Sequence, residues 1–171
     1  MNNVLSLIKS IQEFTGESPC KKAIQKIVYL IQEANEDLGF DYSIHFYGPY
    51  SADLDSEIRY LCSRGELNIN VNTMGYGHMI SVDDSVEISS ANPAVQNVVA
   101  IFGEKSPSDL ELLTTTLYVQ RESSDTGVKG IVNGVVKIKG AKYSEDRIKQ
   151  AIKELEDKKY FVLNEEAGVV S

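Results

Sequence analysis

The sequence predicts a mainly α-helical protein of the α+β class, with two winged-helix-like lobes and a small β-hairpin wing that share one core. Three observations support this prediction. Apolar residues recur at helical spacing along most of the chain. The stretches "ELNINVN" and "HMISVDD" alternate in polarity around a turn-like segment. A tyrosine followed by a serine begins an amphipathic stretch twice, in "PYSADLDSEI" and in "KYSEDRIKQA". Helix, helix, short strand, capped helix and hairpin is the order of a winged helix.

Length and composition are those of a globular protein. The chain has 171 residues, of which 42% are hydrophobic and 25% charged, enough for two small lobes around a shared core. We expect the first lobe to span residues 1–90 and the second residues 91–171. No apolar run approaches the roughly 20 residues that cross a bilayer, and the first residues are amphipathic without a basic leader. We therefore expect a cytoplasmic protein that does not bind membranes.

The first two elements of the first lobe are helices. Residues 2–14 carry a helical apolar stripe, and Gly16 ends it. Ser18 is expected to cap the second helix, with Pro19 at its first position. The second helix is expected to end near Gly39. Its apolar face follows the spacing of a buried helix and comprises Ile24, Ile27, Val28, Ile31 and Ala34.

A strand-to-helix corner follows in "DYSIHFYGPYS". The alternation in "DYSIHFY" predicts a short strand. Pro49 fixes its own φ and keeps Gly48 out of the α region, and Gly48 tolerates the backbone angles of a sharp turn. Ser51 is expected to cap the next helix. Tyr47 and Tyr50 then form either the packing surface or the contact surface of the corner, and the sequence leaves both open.

The wing is predicted after Gly65, which ends the capped helix. Leu67, Ile69 and Val71 alternate with asparagines, so one face of the strand is apolar. "TMGYG" is expected to turn the chain, and "HMISVDD" to return as the second strand of a β-hairpin.

The second lobe is expected to begin with a helix at Pro93, followed by a helix in "SPSDLELLTTTLYVQRE". Residues 127–139 fit a helix, but Asn133-Gly134 between β-branched pairs also fits a hairpin. We favour the helix because its period holds throughout. Ser144 is expected to cap the last helix, and "YFVL" to form a short strand.

No catalytic motif is present. The sequence has no Walker A loop, no GxGxxG, no HExxH and no CxxC. Cys20 and Cys62 have no partners at metal-ligand spacing and fit structural thiols, and His45 and His78 lie far apart. We expect no metal, no cofactor and no catalysis. The enzymatic alternative is a Cys62 thiolate that pairs with His45.

Charge is uneven along the chain. Residues 1–127 contain 8 Lys and Arg against 18 Asp and Glu, a formal charge of −10, whereas residues 128–171 carry +2. An acidic protein is repelled by nucleic-acid phosphates unless it concentrates basic residues locally. The simpler interpretation of the one basic stretch is a solvated helical face. The alternative is a DNA-binding regulator, with a homodimer building a basic stripe. The basic residues concerned are Lys129, Lys137, Lys139, Lys142, Arg147, Lys149 and Lys153.

The stretch from residue 20 to residue 67 resembles the YwgA-like family of bacteria and archaea. It is more distantly similar to the Panacea (SocA-like) domain of antitoxins and proteolytic adaptors, and residues 107–157 match more loosely. Panacea domains usually have a tryptophan before their Gly-Pro, and this chain has none. The resemblance implies a helical or winged-helix scaffold that neutralises toxins, or delivers partners to a protease, by binding protein. The residues that carry it are Lys22, Ile24, Gln25, Lys26, Tyr29, Leu30 and the "YGPYS" of residues 47–51.

The sequence therefore predicts a non-catalytic binding module, a regulatory protein that recognises another protein. Tyrosine provides a large contact area at a small cost in entropy, and the acidic first part of the chain would steer a basic partner. A toxin and a regulatory protein would each fit. Gly48, Pro49 and Ser51 are expected to shape the site. The candidate contact residues are Tyr47, Tyr50, Asp53, Asp55 and Glu57.

Overall fold

Residues 2–71 and 77–163 are described by the computed structural model, and within them the chain forms seven α-helices and four short β-strands. The protein is mainly helical and of the α+β class, as predicted. The helices are α1 (Asn3–Thr15), α2 (Lys21–Glu33), α3 (Ala52–Ser63), α4 (Pro93–Phe102), α5 (Pro107–Glu122), α6 (Val128–Lys139) and α7 (Glu145–Asp157). The strands are β1 (Ser43–His45), β2 (Gly48–Tyr50), β3 (Leu67–Val71) and β4 (His78–Val82).

The chain divides into two compact units. The first unit comprises Met1–Ser43 and Tyr50–Leu110, and the second comprises Ile44–Pro49 and Glu111–Ser171. This division does not follow the predicted boundary at residue 90, because α4 packs against α1 and α2 within the first unit.

In the first unit, α2 is the most deeply buried helix. It begins later than predicted, because Cys20 rather than Ser18 is its N-cap and accepts a hydrogen bond from the Ala23 N–H at 3.4 Å. Pro19 is extended instead of helical, since its carbonyl accepts a hydrogen bond from the N–H of Ile80 on β4 at 2.8 Å. The helix also ends before Gly39, at Glu33, and Asn35 then takes a left-handed φ of 71°.

The predicted hairpin is confirmed as the pair β3–β4. We call this pair the wing, and the winged-helix arrangement of the helices around it stays a prediction. The two strands pair antiparallel, with Leu67 opposite Val82 and Val71 opposite His78. Leu67, Ile80 and Val82 are buried, which anchors the base of the wing in the core of the first unit. Of the predicted turn "TMGYG", residues 73–76 lie outside the described residues.

In the second unit, residues 127–139 confirm the helix rather than the hairpin. Ile131, Val132 and Val135 are buried along one face of α6. Gly134 permits close packing on α5, because a Cβ at this position would lie 2.4 Å from Cγ1 of Val119. The apolar period and this close approach outweigh the turn preference of Asn-Gly.

The predicted strand "YFVL" is wrong, since residues 160–163 form no strand. Lys159 has a left-handed φ of 66°, and the N–H of Tyr160 bonds to the carbonyl of Leu155 at 3.0 Å, which closes the end of α7. The carbonyl of Tyr160 accepts a hydrogen bond from Arg121 at 2.9 Å. Both the N–H and the carbonyl of Tyr160 are therefore hydrogen-bonded already, to groups that do not belong to a strand.

Candidate functional site

In the first unit, the start of α3 is held by a buried glutamine of α2. Ser51 is the N-cap of α3, as predicted, and its Oγ accepts a hydrogen bond from the Leu54 N–H at 3.2 Å. The Gln25 side chain donates to the Ser51 carbonyl at 2.8 Å and accepts from the Ser51 N–H at 2.9 Å. Both residues are buried. The side-chain amide of Gln25 thus joins α2 to the "YGPYS" segment, the two stretches that carry the predicted resemblance to the YwgA-like family.

Asp55, a predicted contact residue, is buried and already neutralised. Its carboxylate lies 2.5 Å from Nζ of Lys21 and 2.6 Å from Nη2 of Arg59. Burial on its own would raise the pKa of Asp55, but the two cations lower it below its usual value. Burial, together with the nearby Asp55 carboxylate, raises the pKa of Tyr50. Asp55 is therefore part of an ion-pair network with Lys21 and Arg59 within the protein.

The other two predicted contact residues of α3, Asp53 and Glu57, differ in how far they are exposed to solvent. Asp53 is exposed. Glu57 is half-buried, and it accepts a hydrogen bond from Nδ2 of Asn2 at 2.7 Å. Asn2 also caps α1, so Glu57 supports the start of that helix. Asp53 is thus the exposed one of the three carboxylates of α3.

In the second unit, Phe46 and Tyr47 occupy the turn between β1 and β2, and we call these two residues the aromatic tip. Phe46 is 83% exposed and Tyr47 is 55% exposed. Their rings meet edge to face, with centroids 4.9 Å apart. Gly48 follows with a φ of 91°, which side chains disfavour, so the predicted need for glycine in this turn is confirmed.

The aromatic tip contacts a charge cluster that is centred on the buried Glu111 and that we call the buried charge cluster; it consists of Glu111, the buried ammonium group of Lys139 and the partly exposed Lys142. Glu111 is fully buried on α5 and lies 2.5 Å from Nζ of Lys139 and 2.9 Å from Nζ of Lys142. The side chain of Lys139 is only 4% exposed, and it also donates to the carbonyl of Phe46 at 2.7 Å. The hydrogen bond to Glu111 raises the pKa of Lys142. One ammonium group therefore connects α5, α6 and the turn.

Lys142 also contacts the aromatic ring of Tyr47. Its Nζ lies 5.9 Å from the ring centroid of Tyr47 and 5.5 Å from that of Tyr143, distances typical of cation–π contacts. Tyr143 is buried, whereas the ring of Tyr47 remains half exposed. Tyr47 thus packs against Lys142 while part of the residue stays exposed, and its role as a contact residue stays a prediction.

The predicted nucleic-acid residues separate into two groups. Lys139 and Lys142 are ion-paired to Glu111, so they are committed to the buried charge cluster. The remaining residues have exposed side chains on α6 and α7, and these are Lys129, Lys137, Arg147, Lys149 and Lys153.

Sequence reasoning missed Phe46 and Glu111. The predicted strand "DYSIHFY" included Phe46 and Tyr47, but β1 ends at His45 and the turn begins at Phe46, two residues earlier than predicted. Glu111 did leave a signal, because it stands between Leu110 and the pair Leu112 and Leu113 on a predicted helix. A charged residue within such a run is buried only when it is paired.

The two cysteines are the remaining candidate groups for the enzymatic alternative. Cys20 is buried and Cys62 is half-buried. Burial raises the pKa of the Cys62 thiol, which Lys21 offsets only in part, so the reactive thiolate is disfavoured. The described residues contain no group of three or more His, Cys, Asp or Glu side chains that could hold a metal ion. Within the same residues, each helix is too short or too polar to cross a membrane.

Comparison with known proteins gives one informative similarity. No protein-family model matches the chain. The chain is 29% identical over 111 residues to YwgA of Bacillus subtilis (strain 168), a protein described as uncharacterized. The aligned region covers 61% of this chain and 67% of YwgA. This similarity supports the predicted resemblance to a YwgA-like family, whereas the resemblance to the Panacea domain stays a prediction.

Proposed function

We propose that this chain is a non-catalytic binding module of the winged-helix type that recognises a partner protein through its aromatic tip. The observation that carries the proposal is the exposure of two adjacent aromatic rings on a turn whose backbone is held by a buried lysine. A regulatory role of the antitoxin or adaptor kind, implied by the predicted Panacea resemblance, belongs to the same proposal.

Exposed aromatic rings are costly in water and valuable at an interface. Phe46 and Tyr47 together expose on the order of 200 Å² of apolar surface, given that an aromatic side chain can bury about 150–250 Å². At about 25 cal/mol per Å², covering this surface would contribute about 5 kcal/mol before the costs of association. This is the size of an interface hot spot, which is commonly centred on aromatic residues.

The turn is also preorganised for binding. The hydrogen bond from Lys139 to the Phe46 carbonyl fixes the backbone of the turn, and Lys142 lies against the ring of Tyr47. A surface that is ordered before binding loses less conformational entropy when its partner arrives. The buried charge cluster therefore supports the aromatic tip rather than forming a contact surface itself.

Charge favours a basic partner. Residues 1–127 carry a formal charge of −10, which raises the encounter rate of a cationic protein at low salt. Among the carboxylates predicted to make contact, Asp53 is the exposed one. We expect it to contribute to the rate of association more than to the lifetime of the complex.

The test compares the aromatic tip with a matched tyrosine elsewhere. Tyr60 on α3 is 54% exposed, nearly the same as Tyr47. The wild-type chain, the double variant Phe46→Ala/Tyr47→Ala and Tyr60→Ala serve as baits in lysate of the native host. We expect a protein that the wild type and Tyr60→Ala retain and the double variant loses.

Binding of that protein is then measured with purified components. A hot spot of at least about 2 kcal/mol predicts that the double variant weakens binding by about 30-fold or more, whereas Tyr60→Ala changes it by less than about threefold. All three proteins should unfold at similar denaturant concentrations. Equal binding by the wild type and the double variant would refute the proposal.

DNA binding is not proposed. The alternative needs the basic residues of 129–153 to face phosphates, but Lys139 and Lys142 are held by Glu111. The last helix, α7, also carries Glu145 and Asp146 in its first turn. These carboxylates would oppose the approach of phosphate.

A further inference from the structure

The outer edge of β3 carries backbone groups that face away from β4. The N–H of Ile80 on β4 donates to the Pro19 carbonyl at 2.8 Å, so the backbone of Ile80 points away from β3. Ile69 lies opposite Ile80 and forms a non-hydrogen-bonded pair with it. The N–H and carbonyl of Ile69 must therefore point outward from the wing, and those of Val71, two residues later, do the same.

These outward groups are accessible. Among the described residues, no hydrogen bond reaches the backbone of Ile69 or Val71 from the outer side. The two residues are 43% and 69% exposed, in contrast to the buried Leu67 at the base of the strand. The outer edge of β4 is different, because it is covered by Pro19 and by the bridge between Cys20 and Met79.

The edge of β3 also lacks the usual protection against pairing. Natural edge strands carry lysine, proline or inward-pointing charges that prevent another strand from joining. The strand "LNINV" has none of these, and its exposed side chains are two asparagines and two β-branched apolar residues. An open, uncharged edge of this kind is a site for strand addition.

We propose that β3 pairs antiparallel with β3 of a second copy of this chain, about a two-fold axis at Asn70. In this register Ile69 of one copy lies opposite Val71 of the other, and each pair exchanges both backbone hydrogen bonds. The apolar side chains then meet on one face, while Asn70 meets its own counterpart on the other.

The second copy is favoured as the occupant because the edge is self-complementary. A two-fold axis at Asn70 places the outward groups of Ile69 opposite those of Val71, so that each set finds its partner in the other copy. The strand is uncharged, so the net charge of −8 does not oppose contact at the strand itself. The contact is far smaller than the roughly 1,200 Å² of a stable interface, so the dimer is weak, with a dissociation constant on the order of 100 µM. This inference concerns the first unit and does not depend on the aromatic tip.

Analytical ultracentrifugation tests the dimer on the full chain. Between about 5 µM and 1 mM, the average mass of the wild type should rise from 18.9 kDa towards twice that value. Ile69→Pro removes only an outward N–H, so it keeps the pairing of β3 with β4 and should weaken the dimer by at least about tenfold. Ile69→Val retains the N–H and the branched side chain, and it should dimerise within about threefold of the wild type.

Amide hydrogen exchange gives a second readout in the wild type alone. The amides of Ile69 and Val71 should become protected as concentration rises, while those of Asn68 and Asn70, which bond to β4, should be equally protected throughout. A constant mass of 18.9 kDa up to 1 mM would overturn the proposal. So would exchange at Ile69 and Val71 that is independent of concentration, or dimerisation by a folded Ile69→Pro variant. Strand pairing only with another protein would appear as a monomer at every concentration and would equally overturn it.

Discussion

Two glutamines on α2 make the same pair of hydrogen bonds in different surroundings. Gln25 brackets the backbone of Ser51 with bonds of 2.8 and 2.9 Å, and Gln32 brackets the backbone of Phe40 with bonds of the same lengths. Gln25 and Ser51 are buried, whereas Gln32 and Phe40 are half-buried. Gln25→Met and Gln32→Met therefore remove identical amides, and methionine keeps the side-chain length and a high helix propensity.

The expected costs differ because water reaches only one of the two sites. In Gln25→Met, the N–H and carbonyl of Ser51 lose their partner where no solvent replaces it, and each buried unsatisfied group costs about 1–3 kcal/mol. The total is about 2–6 kcal/mol. In Gln32→Met, water can bond to the backbone of Phe40, so the cost should be about 1 kcal/mol.

Urea denaturation of the wild type and both variants measures this difference. We expect the free energy of unfolding to fall at least 1–2 kcal/mol further, roughly, in Gln25→Met than in Gln32→Met, with the slope against urea unchanged. Equal losses in the two variants would show that burial does not set the value of the Gln25 amide, and the reasoning would then be wrong.

Two further predictions use pairs of similar residues in the second unit, each measured as a change in the free energy of unfolding. The substitution Lys139→Met should lower the free energy of unfolding by about 3–5 kcal/mol because it leaves a buried carboxylate short of a partner. The side chain of Lys142 is 42% exposed, so Lys142→Met should lower it by about 1 kcal/mol or less. Similar losses in the two variants would contradict the assigned burial. Thr115→Val should stabilise by up to about 1 kcal/mol, since the buried Thr115 hydroxyl has no hydrogen-bond partner among the described residues. Thr116→Val should instead destabilise the protein by about 1 kcal/mol, because the Thr116 hydroxyl donates a 2.7 Å hydrogen bond to the carbonyl of Leu112. A destabilised Thr115→Val variant would show that the Thr115 hydroxyl does have a hydrogen-bond partner.

The sequence predicted the local geometry of the candidate site, but not the surroundings of its side chains. The glycine turn and the serine cap of the corner follow from local stereochemistry, and both are confirmed at Gly48 and Ser51. The roles of the predicted contact residues depend on neighbours far along the chain. Asp55 is neutralised by Lys21, which lies on another helix, and this pairing has no signature at the spacing of the two residues.

The sequence by itself determined the elements that short-range interactions specify. The helical period of α6 was decisive despite its Asn-Gly pair, and alternation together with a turn predicted the wing. These features depend on neighbours within about four residues, which a linear pattern records. The tertiary structure alone decided where α2 begins, because the pairing of Pro19 with Ile80 keeps that segment extended. It also decided that Glu111 is buried and that Phe46 is exposed. Burial is set by packing between distant segments, so the same residue type is a solvated charge in one fold and a buried ion pair in another.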